Sequence, residues 1–270
     1  MSGYYLCDYY LGKEIITYKL PKPESIDLES ININDLDNLD IIYVQFNYFD
    51  KFCREILPRV RVKIILITGQ LHIPQIQKSD LTESIINNEN VVYWISQNPI
   101  YRTQDHNKYI AFPYGIKHKS LAKYLRVFNR YPYIKENTVA LGYINQGTHP
   151  DRKRLPNPNK QKRMGYYRHI SHSKFFISPR GDRDDTHRHY ECIGLGTLPI
   201  SDLNRNLYEQ LFGDNMIYKD IDDCVAIANS LHYPESEYKE PNRNFVTMEY
   251  WKEYLSRLRE NCQEMTYFYM

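Results

Sequence analysis

Short apolar runs alternate with longer amphipathic stretches along most of this chain, and that alternation commits it to an α/β fold built from strand–helix units. The runs "DIIYVQF" (40–46), "VKIILIT" (62–68), "NVVYWIS" (90–96) and "KYIAFPY" (108–114) predict strands, and "NYFDKFCREIL" predicts a helix after the first. The pattern restarts at "NTVALGYI" (137–144) after a Pro-containing break, and "KFFIS" and "TLPIS" add two more strands. The break puts a boundary near 125–137, so the expected halves are 1–130 and 131–270, each α/β. Gly69, Gly115, Gly142 and Gly181 stand at strand ends, where open parallel sheets bind their ligands. The basic, Pro- and Asn-rich run 149–163 is a loop entering a helix, and from Thr247 apolar residues at helical spacing predict a terminal helix.

Composition narrows the class of partner. The 35 basic and 33 acidic residues leave a formal charge of only +2, which argues against a nucleic-acid surface or an acidic membrane. The five cysteines are widely spaced and form no CxxC pair, so the expectation is a reducing, cytoplasmic setting with no disulfide framework. No basic leader followed by an apolar stretch opens the chain, and no apolar run is long enough to predict a transmembrane segment. Tyrosine is unusually frequent, at 26 of 270 residues, a bias that an AT-rich coding sequence accounts for without any chemical role.

The densest chemistry lies in "FFISPRGDRDDTHRHYECIGLGTLPIS" (175–201), which holds three of the 11 glycines. It reads as a buried strand, a loop from Pro179, a helix capped by Asp184, Asp185 or Thr186, and a second strand after Gly194 or Gly196. A helix N-terminus at the ligand edge of a parallel sheet attracts phosphate. Arg180 in the loop would bind phosphate oxygens in bidentate fashion. One turn into the helix, Glu191 would accept from a ribose diol, with His187 and Arg188 beside it. Three plainer readings compete. Arg188 and Glu191 would make a solvated helix pair worth about 0.3–0.5 kcal/mol. Asp182-x-Asp184 would be a metal site. His187, His189 and Cys192, with His169 and His172, would be a zinc set, although residues 187 and 189 point about 200° apart on an ideal helix.

The same segment resembles the donor-site signature of exostosin-type and related GT-B glycosyltransferases. The likeness rests on Pro179, Gly181, Asp185, Thr186, His187, Arg188, Glu191, Gly196, Pro199 and Ile200, in that order. "YWISQNP" followed by "KYIAFPYGI" is similar to a second segment of these enzymes. "LITGQLH" resembles their strand ending in Gly-x-x-Asp, with His72 where the Asp stands. The resemblance implies two Rossmann-like domains facing across a cleft, 1–130 for the acceptor and 131–270 for the nucleotide sugar, with a terminal crossover helix. It implies transfer from a UDP-sugar to a glycan or glycoconjugate, expected to be inverting. With the phosphate held by Arg180, Arg188 and the helix N-terminus, the expectation is metal independence and no cofactor. The implied donor contacts are Arg180, Gly181, Asp185, Thr186, His187, Arg188 and Glu191. His72 is the expected catalytic base, with Asp105 and His106 as alternatives. A nucleotide-binding module without transferase activity and an RNA-binding protein are the rival readings. The second lacks a gathered set of stacking aromatics.

Overall fold

The computed structural model describes residues 6–11, 26–27, 33–69 and 75–267, and His72 lies outside them. The chain is α/β, with two parallel sheets in two compact units. One unit spans 2–113 together with 248–270, and the other spans 114–247.

In the first unit six parallel strands run β1 (Tyr9–Leu11), β2 (Ile26–Asp27), β3 (Asp40–Gln45), β4 (Ile64–Gly69), β5 (Val91–Gln97) and β6 (Tyr109–Phe112) along the chain. Their spatial order is β2-β1-β3-β4-β5-β6, so the order of strand addition reverses at β1 while every pairing stays parallel. Ile42 to Val44 and Ile64 to Ile67 are buried throughout. A parallel strand covered on both faces must be apolar at every position, which is why these segments read as runs rather than as alternations. The predicted helix after β3 forms as a mixed winding, a 3₁₀ turn leading into α1 (Phe49–Lys51) and a π turn over Phe52–Ile56. Phe52, Cys53 and Ile56 seal it onto the core. Helix α2 (Asp80–Ile86) starts at Ser79, whose backbone N–H is held by Thr82 Oγ1 at 2.9 Å.

The second unit carries α3 (Leu121–Phe128), β7 (Asn137–Ala140), α4 (Arg163–Ser171), β8 (Ser173–Ile177), α5 (His187–Gly194), β9 (Leu198–Ser201), α6 (Arg205–Phe212), β10 (Ile217–Tyr218) and α7 (Ile221–Ser230). The strands are parallel in the order β10-β9-β8-β7. Alternate residues sort onto two faces, as the strand period requires. Val139, Phe175, Ile177 and Ile200 pack with Cys224 and Ala228 of α7. Ala140 and Phe176 face the other way, into a core shared with α3, α4 and α5 through Tyr124, Val127, Tyr167, Ile170 and Cys192.

That second core moves the boundary. The expected division at 130/131 falls at 113/114 instead, because α3 buries Tyr124 and Val127 beside Tyr167 and Phe176. The terminal helix α8 (Met248–Tyr267) groups with the first unit, where Trp251 meets Phe112 edge-on with ring centroids 5.2 Å apart. The strand expected over 137–144 stops at Ala140. Gly196 closes α5 at φ +69°, a left-handed conformation that glycine adopts without strain. Among the described residues no helix is long and apolar enough to cross a membrane.

Phe176 is fully buried between α4 and the sheet. Phe176→Ala is therefore expected to cost about 3–5 kcal/mol of stability, read as a lower urea midpoint with unchanged slope.

Candidate functional site

A cavity of about 530 Å³ opens in the second unit at the head of α5. This size is ordinary for a small-molecule site. The site begins where β8 ends. Ser178 still donates to Ile200 O at 2.9 Å, but Pro179 has no N–H to continue the ladder, and the chain leaves the sheet. The loop is then tied from three sides. Arg152 donates to the carbonyls of Arg180 (Nε, 2.6 Å) and Pro179 (Nη2, 2.9 Å). Asp202 accepts the Arg180 N–H at 2.7 Å. His189 Nε2 donates to Ser178 O at 2.9 Å. A Cβ on Gly181 would stand 2.9 Å from Thr186 Cγ2 and 3.2 Å from Arg183 O, so this close turn has room only for glycine.

Asp185, just ahead of α5, is 2% exposed. Its Oδ1 lies 3.0 Å from His189 Nδ1, and its Oδ2 accepts from the Tyr190 hydroxyl and from Tyr114 N–H (3.3 Å). Tyr114 is thereby brought to the site, where the His187 ring stacks on it at 4.3 Å and the Arg183 guanidinium lies 4.1 Å from its centroid. His187 Nδ1 is 2.7 Å from Gly115 O. Burial pushes the His187 imidazole down to about 3, so it is neutral near pH 7 and Nδ1 carries the proton that this carbonyl accepts.

The cavity lining is rich in cations. Lys117, Arg152, Lys160, Arg163, Arg183 and Arg188 face only Asp182, Asp185 and Glu191. Arg152 is pulled down to about 10, first by burial and then by the like charge of Arg188. Arg188 donates through Nε to Tyr166 OH (3.1 Å) and through Nη2 to Tyr143 O (2.6 Å). Its Nη1 is buried with no partner. An unpaired buried donor costs about 1–3 kcal/mol, more when charged, and an anion in the cavity would relieve it.

The expected residues meet different fates. Gly181, Asp185, Thr186, His187, Arg188 and Glu191 all line this one cavity. Arg180 does not; its guanidinium binds Asp151 at 2.7 Å and Asp202 at 3.1 Å. Asp185 is turned inward as a structural acceptor. Arg188 and Glu191 are not a solvated pair, because Glu191 is 3% exposed and its two oxygens accept from Tyr166 and Tyr167, each at 3.0 Å. Burial raises the Glu191 carboxyl above its usual range. His187 and His189 turn to separate partners, and among the described residues no group of three or more His, Cys, Asp or Glu is placed to hold a metal. Asp105 is exposed and gripped by Arg102 at 2.7 and 2.8 Å, which lowers its carboxyl below the usual range. His106 packs edge-on against Tyr101 in the other unit.

Tyr114, Tyr143, Arg152, Arg163 and Tyr166 belong to the cavity but were not singled out from the sequence. The basic run 149–163 was the one usable signal for two of them. No model of a known protein family matches the chain, and no curated protein matches it.

The His187 shift has a pH consequence. Its folded value lies below the unfolded one, so the unfolded chain takes up the proton first and stability is lost as pH falls from about 6.5 towards 3. His187→Asn keeps a donor for Gly115 O but does not titrate. Wild type should lose stability relative to this variant between pH 7 and pH 4, measured by urea unfolding at both.

Proposed function

We propose that the chain is a nucleotide-sugar-dependent glycosyltransferase of the GT-B kind, and that the cavity of the 114–247 unit receives the donor's diphosphate. The observation that carries this reading is the unpaired, buried Arg188 Nη1, set at the head of α5 in a cavity with twice as many cationic as carboxylate side chains. A diphosphate answers each part of it: anionic oxygens for the guanidinium, for the first-turn N–H groups and for the free N–H positions of Arg152. Tyr143, 38% exposed at the same cavity with Lys160 Nζ 5.6 Å from its ring centroid, is the aromatic side chain that would meet a nucleobase. The likeness of 175–201 to exostosin-type donor segments extends the reading from a nucleotide to a nucleotide sugar, with UDP-sugars as the first donors to try.

In the transfer, charge grows on the departing diphosphate. Arg188, Arg152 and the α5 N-terminus would be worth more in that transition state than in the ground state, because they are fixed in place before the reaction. With this positive charge built in, transfer should proceed at an undiminished rate in excess EDTA. Loss of activity restored by Mn²⁺ would instead assign a metal to Asp182 and Asp184.

The direct test is ligand stabilisation. At a hundredfold excess over Kd, UDP should raise unfolding stability by about 2.7 kcal/mol, seen as a higher melting temperature. Arg188→Ala should weaken UDP binding by roughly 10- to 100-fold, the worth of a charge-assisted hydrogen bond. Unchanged UDP affinity in that variant would remove the donor site from this cavity. Firm UDP binding with no sugar transfer across a panel of donors and glycan acceptors would leave a nucleotide-binding module.

A further inference from the structure

Glu191 lies in the cavity wall, yet both its oxygens are already taken by hydroxyls of α4, Tyr166 OH at Oε2 and Tyr167 OH at Oε1. Tyr166 is also the acceptor for Arg188 Nε at 3.1 Å. These three groups form a directed chain. A carboxylate can only accept, so the Tyr166 hydroxyl hydrogen points to Glu191 and its lone pairs are left for Arg188. The ring lies against Gly142, where an added Cβ would stand 3.0 Å from Tyr166 Cε2, so glycine at this position leaves the ring its place.

A guanidinium is planar and rigid, so two hydrogen bonds fix its plane. Nε is held by Tyr166 and Nη2 by Tyr143 O, and the direction of the unpaired Nη1 follows from those two. From this geometry we infer that Tyr166 is a positioning residue that aims Arg188 at the ligand's diphosphate, and that Glu191 acts by orienting Tyr166 rather than by binding a ribose. The inference rests on the donor-site reading of the cavity given above. It gives Tyr166 and Glu191 a specific place in that site: they act on the phosphate end of the nucleotide, although neither carries positive charge.

The test uses the full-length chain, calorimetric titration, and two probes, UDP and its 2′,3′-dideoxy analogue. Tyr166→Phe and Glu191→Gln should each weaken both probes to the same extent, by roughly tenfold, the scale of one hydrogen bond to a charged group. In an Arg188→Ala background, Tyr166→Phe should cause no further loss, because there is no guanidinium left to aim. A purely structural role for Tyr166 would add its loss in either background. If Arg188→Ala weakens UDP but Tyr166→Phe does not, the positioning role is wrong while the donor site stands. If Glu191→Gln weakens UDP and spares the dideoxy analogue, Glu191 binds ribose and does not act through Tyr166. If Arg188→Ala leaves UDP binding unchanged, the site reading falls and the inference falls with it.

Discussion

A carboxylate removed from water has to be hydrogen-bonded on all sides, and Asp185 meets that demand by gathering the second unit around itself. At 2% exposure it faces the His189 imidazole at 3.0 Å and accepts from the Tyr190 hydroxyl and the Tyr114 N–H. Removing one partner of such a buried set costs about 3–5 kcal/mol, so these groups hold one another in place. The consequence reaches the cavity wall. Tyr114 is fixed at the start of the unit, His187 and Arg183 lie close to its ring, and the loop after β8 is anchored through His189 to Ser178 O. The head of α5 is therefore set before any ligand arrives.

Three arginines around that loop show how local accounting decides role. Arg152 is used up in good part as a clamp on the Pro179 and Arg180 carbonyls, and its burial beside Arg188 depresses it. Arg180 is neutralised by Asp151 and Asp202. Arg188 Nη1 and Arg180 Nε are both buried without a hydrogen bond, but Arg180 Nε lies 3.1 Å from an Asp202 carboxylate oxygen, and Arg188 has no such ion pair among the described residues. The charged donor of Arg188 is left unsatisfied beside a helix N-terminus in a cavity with more cationic than carboxylate side chains, and the donor-site reading proposed above would give it an anionic acceptor. The tyrosines of α4 complete the arrangement, holding Glu191 and Arg188 apart instead of letting them pair.

The strands, and the strand–loop–helix–strand order of 175–201, were legible in the sequence because they depend on local facts. Apolar runs mark parallel strands covered on both faces, Pro179 must leave the ladder, and Gly181 and Gly196 stand where a side chain would clash or strain. Grouping Gly181, Thr186, His187, Arg188 and Glu191 in one site also follows from proximity along one loop and one helix. The fate of each side chain does not. Arg180 reads as a phosphate ligand until Asp151 and Asp202, from other segments, are seen to take it. Glu191 reads as a ribose acceptor until Tyr166 and Tyr167 of α4 are seen on both its oxygens. The boundary at 113/114 likewise depends on α3 burying Tyr124 and Val127 against α4 and α5. A residue's neighbours along the chain determine its backbone, but its charge and hydrogen bonds are settled by groups that only folding brings within 3 Å.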